Sequence, residues 1–324
     1  MKRRHLLAAG LGTLATPAIV RAQPKYPDRT VRFVVPFPAG GPTDVIGRMV
    51  ADKLSSLIGQ TVIVDNKSGA AGAIGAMDVK NAKPDGYTLL VATSSTHAIN
   101  PTAFVKPPYD PIKDFTPISS ICTNPAVLVT HPSMPPTVQG LIELMKKNPG
   151  KYSYGSSGIG SILHLAAEYF KKEVGGLDVV HVPYKGSTPA LQDLLAGNVV
   201  WMFETFGGTL QHHRAGKLRI LGFANATRAA IAPEIPTMSE AGVKGYEAYT
   251  FNLILGPAGL PQPIVDTIDQ ASRKLMADES VIKFLKDIAA VPTTDTSPER
   301  TARFIKGELA KWAPIIRAAD VKIE

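Results

Sequence analysis

The chain has 324 residues, 44% hydrophobic and 19% charged, with a formal net charge of +8. That balance fits a globular protein with a large core, in two domains or one large one. The lone Cys122 excludes an intramolecular disulfide and a cysteine-built metal cluster. Past the opening residues, no apolar run reaches the roughly 18 residues that a membrane helix needs.

The opening, "MKRRHLLAAGLGTLATPAIVRAQ", has the parts of an export signal. Lys2, Arg3 and Arg4 give the positive start, Leu6 to Val20 the apolar stretch, and small residues precede Gln23. The Arg3-Arg4 pair leaves Sec and twin-arginine export both open. Removing residues 1–22 takes away four basic residues and brings the charge from +8 to +4. A nucleic-acid footprint is not indicated.

Strand-like runs follow at 30–37, 61–66, 87–93, 126–131, 152–156, 178–184, 199–205 and 218–224. Helical patterns lie between many of them. "TDVIGRMVADKLSSLIG" ends on Gly59, a C-cap residue. "TVQGLIELMKKNPG" starts at a Thr cap, and "STPALQDLLAGN" closes at Gly197. Cys122, in "ISSICTNPAVLV", reads as strand core. This alternation predicts an α/β architecture with parallel sheets and ligand sites at the carboxyl ends of the strands. After Ala224 the chain turns loop-rich, then closes with two helices that lack a sheet of their own. The chain is therefore expected to cross between two lobes twice, near residues 123–124 and 246–249. Lobe one is 23–122 plus 248–324, lobe two is 123–247, and each is expected to hold its own sheet.

Two strand-to-helix joints stand out, "PFPAGGPTD" and "YGSSGIGSILH". A helix N-terminus has unpaired N–H groups and a positive dipole end, so each joint suits an anion. Known catalytic patterns are missing. Neither joint continues into Gly-Lys-Ser/Thr, and "GAAGAIGAM" lacks the setting of a dinucleotide loop. No GxSxG elbow or HExxH is present, and His164 and the pair His212-His213 have no cluster around them. No metal site is expected. What remains is anion capture by neutral donors. Gly40, Gly41 and Thr43 offer two amides and a hydroxyl, and Asp44 caps the helix or braces the loop. Ser94, Ser95 and Thr96 follow another strand. Tyr184 offers a wall, and Lys185 is either a ligand cation or a solvated lysine. Glu204 either faces the cleft or lies behind its loop and holds it.

The segments "PFPAGGPTD", "DNKSGAAGAIGA", "PDGYTLL", "YDPIKDFTPI", "YGSSGIGSILHLAAEYF", "HVPYKGSTPALQDLLAGNV", "AGKLRILGFA", "IPTMSEAGVKGYE" and "GPAGLP" run in order over nearly all of the mature chain. In this the chain resembles the substrate-binding proteins of tripartite tricarboxylate transporters, the TctC or Bug family. The resemblance implies a two-lobe periplasmic-binding-protein-like α/β fold of type II, each lobe a mainly parallel sheet flanked by helices, with a ligand cleft between the lobes. It implies a periplasmic monomer with no catalytic activity, cofactor or nucleic-acid partner. Its ligand would be a small organic carboxylate, delivered to a membrane permease of one large and one small subunit. A sensing role, with the liganded form shown to a membrane receptor, is the alternative. Carried over residue by residue, the ligand site is Phe37, Ala39, Gly40, Gly41, Thr43 and Asp44 on the first joint. Ser157, Gly158, Gly160 and Ser161 face them on the second. Ser94, Ser95, Thr96, Tyr184, Lys185, Gly186 and Thr205 complete it. Pro42, where many relatives carry Ser, removes a donor. Phe251-Asn252 replaces a Trp-Gly-like pair, so ligand identity does not transfer.

Overall fold

The computed structural model describes residues 26–324, so the export-signal reading lies outside the described residues. The chain begins with β1 (Val31–Val35), α1 (Pro42–Ile58), β2 (Val62–Asn66), α2 (Ala73–Lys80) and β3 (Thr88–Ala92). β1 pairs parallel with both β2 and β3. A π-helical turn at Ser95–Ile99 and the short α3 (Asn100–Ala103) lead into β4 (Phe115–Thr130), a strand of 16 residues. Next come α4 (Val138–Lys147), β5 (Ser153–Ser156), α5 (Ile162–Glu173), β6 (Val180–Pro183), α6 (Ser187–Ala196), β7 (Trp201–Thr205), α7 (Phe206–Arg214) and β8 (Arg219–Phe223). The chain returns along β9 (Tyr249–Pro257) and ends in α8 (Gln262–Ala277), α9 (Glu279–Asp287), β10 (Val291–Pro292) and α10 (Pro298–Ala318).

β4 belongs to both lobes. Its residues Phe115 to Pro125 pair antiparallel with β9, and Ala126 to Thr130 pair antiparallel with β7. Away from these strands the pairing is parallel, β1 with β2 and β3 in one lobe, β5 with β6 and β7 in the other. The hydrogen-bonded path therefore runs unbroken as β2-β1-β3-β9-β4-β7-β5-β6. Each lobe thus has its own sheet, β2-β1-β3-β9-β4 in one and β4-β7-β5-β6 in the other, and the two are joined because one strand is long enough to serve both. At the change of partner, three alanines close a ring of backbone bonds. Ala126 donates to Ala248, Ala248 to Ala224, and Ala224 to Ala126, at 3.0, 3.0 and 2.8 Å.

Alternation along β1 sends Val34 to one face and Phe33 and Val35 to the other. Phe33 and Val35 pack with Ile46, Val50 and Leu54 of α1 and with Ile268 and Leu275 of α8. In the second lobe, Val127, Val129 and Met202 pack under α6 and α7. The strands near the middle are buried on both faces, which is why β9, all buried after its first residue, shows no alternation in sequence. Among the described residues no helix is long and apolar enough to cross a membrane, and no group of three or more His, Cys, Asp or Glu is placed to hold a metal.

The position of α1 sets the first joint, and Gly47 sets the position of α1. A Cβ there would lie 2.9 Å from Val35 Cγ2 and 3.6 Å from Val91 Cγ2, so the helix rests directly on β1 and β3. Gly47→Leu should overfill this contact and cost about 1–3 kcal/mol of stability. A melting temperature equal to that of the parent would contradict the close approach.

Candidate functional site

Four helices begin at one place. Gly41, Pro42 and Thr43 open α1, Ile162 and Leu163 open α5, Ser187 opens α6, and Thr205 caps α7; all line one small chamber of about 30 Å³. Phe37, Pro38, Ser95, Ser157 and Thr250 complete its wall. An outer chamber of about 230 Å³ shares Phe37 and Ser157 with it. The outer one is walled by the turn Gly69–Gly72, by Ser157 to Ile159, by Pro183 to Lys185, and by Ile323.

The joint before α1 is stiffened by the protein's own carboxylate. Asp44 Oδ2 accepts from the Gly40 amide and from Arg48 Nε, both at 2.8 Å, and Oδ1 accepts from Asn66 Nδ2 at 2.9 Å. Burial works to raise its pKa, but those hydrogen bonds and the Arg48 charge hold it below the ordinary carboxylate value. Asp44 is thus a brace, as one of the two sequence readings has it, and lines neither chamber. Two other donors expected here are spent. The Gly40 amide goes to Asp44, and the Gly41 amide goes to the Pro38 carbonyl at 3.3 Å. Pro42 has no amide to offer. The amides of Thr43 and Asp44 come next, and neither has a partner among the described residues.

The second joint is arranged likewise. Ser161 caps α5: its hydroxyl accepts from the His164 amide at 3.2 Å, and its own amide goes to Gly158. Fully buried, it lines neither chamber, and its hydroxyl serves as the cap of α5. Ser95 reaches from the other lobe to accept the Ile162 amide at 3.1 Å. The Leu163 amide is left without a partner among the described residues. Behind this loop lie two stacked imidazoles, His164 and His181, with ring centroids 4.1 Å apart. His164 Nδ1 accepts from the Gly160 amide at 3.2 Å, and His181 Nε2 sits 2.7 Å from Ser156 Oγ. Burial pushes them down to about 3 and about 4. Tyr154 donates to Glu168 beside them, and Lys171 pairs with Glu168 at 2.8 Å.

Other sequence candidates are bonded or packed within the protein. Ser94 accepts from the Phe251 amide and donates to the Tyr249 carbonyl, tying the end of β3 to β9. Thr96 closes its own turn with Thr93 and touches His97. Gly160 leaves room for Ile323, which a side chain there would strike. Gly186, at φ +149°, lets Pro38 of the other lobe approach where a Cβ would lie 2.6 Å from Pro38 Cδ. Ala39 is exposed and lines neither chamber. The structure does bring Phe37, Gly41, Thr43, Ser95, Ser157 and Thr205 to the inner chamber, and Gly158, Tyr184 and Lys185 to the outer one. Sequence reasoning missed Ile162, Leu163, Thr250 and Ile323. Ser187, the end of the loop from Tyr184 that the family resemblance puts on the cleft, lies on the inner chamber.

Glu204 lies behind the cleft and holds the start of α7. Its Oε1 accepts from the Thr205 amide at 2.7 Å and the Thr205 hydroxyl at 3.1 Å. Burial raises its pKa above the ordinary value, opposed by these bonds and by the Ser187 hydroxyl. That hydroxyl makes no hydrogen bond of good geometry, and Oε2 has no partner among the described residues.

Two lobes, a shared strand and a cleft ringed by helix starts are the arrangement of a solute-binding protein. The chain matches the family described as "Tripartite tricarboxylate transporter family receptor" over residues 46–321 and belongs to it. Protein BugT of Bordetella pertussis is 34% identical over 301 residues, 92% of each chain. A solved structure described as R. palustris Rpa4515 with adipate is 35% identical, with a TM-score of 0.88 over 92% of this chain and 99% of that one. MatC (Rpa3494) from Rhodopseudomonas palustris with bound malate is 29% identical, with a TM-score of 0.86 over 90% of this chain and all of that one.

The cap at Ser161 predicts that Ser161→Ala lowers stability by about 1 kcal/mol, read as a lower melting temperature. No change would show that α5 is held by other means. The two histidines predict a pH effect. Unfolded, they take up protons near the ordinary histidine value of 6.5; folded, they stay neutral down to about 4 and about 3. Their contribution is present above pH 6.5 and is lost as the pH falls toward 4. His181→Asn with His164→Gln should flatten the melting profile across that window, and an unchanged slope would place the titration elsewhere.

Proposed function

We propose that this protein captures a small organic carboxylate between its lobes in the periplasm. It delivers that ligand, as a monomer, to a membrane permease of one large and one small subunit. One observation carries the reading: the first turns of four helices meet on one chamber that, among the described residues, no charged side chain lines. Amides and hydroxyls there suit an anion whose charge is met by dipoles. The relatives' adipate and malate and the family description support a carboxylate and a transporter partner. Residues 1–22 are the export signal, of Sec or twin-arginine type.

The lobes are 23–122 with 248–324, and 123–247. The change of β4 partner between Pro125 and Ala126, and the start of β9 at Tyr249, support these limits. Ligand contacts are the Thr43 and Leu163 amides with the hydroxyls of Thr43, Ser157 and Ser187. Closure adds contacts from the second lobe to those of the first, so ligand favours the closed form.

Calorimetry with an acid and its primary amide tests the charge; equal affinity would defeat the reading. Gly158→Asp tests the second joint. Gly158 has φ +122°, and a Cβ there meets the Tyr184 carbonyl oxygen at 3.0 Å. A carboxylate introduced at about 5 Å from the bound one, at an effective dielectric near 20, costs about 3 kcal/mol, or over a hundredfold in affinity. Retained affinity with an unchanged melting curve would remove this loop from the site.

A further inference from the structure

Glu204 is a buried carboxyl behind the wall of the inner chamber. It is 1% exposed and lines neither chamber, yet two of the helix starts rest on it. Its Oε1 accepts from the amide and the hydroxyl of Thr205 at the start of α7, at 2.7 and 3.1 Å. The Ser187 hydroxyl at the start of α6 lies beside the same carboxyl. Thr205 and Ser187 both line the inner chamber, so a single side chain separates Glu204 from an anion bound there. The second oxygen, Oε2, is buried and has no partner among the described residues.

The elements packed on Glu204 bring it no counter-charge. Val127 of β4 faces it across the strand pair, Ser187 meets it from α6, and Thr205 meets it from α7. None of these side chains is charged. The other ionisable groups around the cleft are placed elsewhere. Asp44 is held by Arg48 and Asn66, Lys185 lines the outer chamber, and His164 and His181 lie behind the second joint and are neutral above pH 6.5. An ionised Glu204 behind a bound anion is unfavourable on two counts, lost solvation and like-charge repulsion. Burial already raises its pKa above the ordinary value, and a bound anion pushes it the same way.

We propose that capture of the anion is coupled to the uptake of one proton by Glu204, so that the loaded protein carries its anion together with a proton. The proposal rests on the carboxylate reading of the inner chamber. The proton comes from solvent and goes to Oε2, because Oε1 stays bonded to Thr205. Its arrival also turns a hydroxyl. Beside a carboxylate the Ser187 hydroxyl donates to Glu204; beside the neutral acid it accepts, and its own proton is free for the ligand. Glu204 is therefore a positioning residue: it acts on the ligand through Ser187 and through its charge, without touching it.

The test is calorimetry on the full mature chain with butanoate, succinate, adipate, malate and benzoate. Each titration is run in two buffers of equal pH and different ionisation enthalpy, so that the difference in heat counts protons. Between pH 6.5 and 8.5 the acid that binds should take up to about one proton with it, and its affinity should fall as the pH rises, by at most about tenfold per pH unit. Glu204→Gln copies the neutral acid, donor included. It should melt no lower than the parent, bind at pH 8.5 at least as tightly, and lose both the uptake and the pH dependence. Lys185→Gln should keep both. Binding of an acid by the parent with no proton uptake anywhere in this range would overturn the proposal while leaving the carboxylate reading intact. So would uptake that survives in Glu204→Gln or disappears in Lys185→Gln. Should Glu204→Gln fail to fold, the parent and Lys185→Gln still decide. If none of the acids binds, the carboxylate reading itself falls, and this proposal with it.

Discussion

An anion taken out of water between two lobes needs donors already in position when it arrives. A lysine or arginine at the inner chamber would supply charge, but it would have to be desolvated in the empty protein. Helix starts avoid that difficulty, because their amides are unpaired by construction and are fixed by the rest of the helix. Every feature of the cleft serves this arrangement. Gly47 seats α1 on the sheet, Asp44 fixes the joint ahead of it, Ser161 caps α5, and Glu204 secures α7. The protein's own carboxylates face backwards and take up the donors that the cleft does not use.

The same contacts tie the lobes to each other. Ser95 of one lobe accepts the first amide of α5 in the other. Pro38 lies against Gly186, and Ile323 against Gly160. These three contacts bring the two joints face to face, and each depends on a small or hydroxyl-bearing residue at the point of approach. The glycines of the second joint therefore serve the fit between lobes as much as the backbone turn.

Much of this could be read from the residues. The two joints, the alternating strands and helices and the family resemblance are all local patterns, and the fold follows from them. The details of the site were less legible. Whether a hydroxyl faces a ligand or its own helix depends on one side-chain torsion, so Ser161 and Thr43 look alike in sequence and differ in the structure. Ser94 and Thr96 were lost for the same reason, each bonded back to the main chain. Thr250 had no signal, because β9 is buried on both faces and does not alternate. Ile323 reaches the cleft only through the pairing of the chain end with Ala103 and Val105, a contact across more than 200 residues of sequence. Glu204 was open between two readings, and its bonds to Thr205 decide for the one behind the loop.

The shared strand governs how the lobes can move. A pair of hydrogen-bonded strands bends readily across its face, but it cannot shear without breaking the ladder along its whole length. The ring of Ala126, Ala224 and Ala248 adds a closed circuit of backbone bonds at the point of bending, with only methyl groups around it. A rotation of the lobes about that ring would keep these bonds, whereas sliding one lobe past the other would break them. A partner that gripped both lobes from outside would then feel the cleft close as a change in one angle.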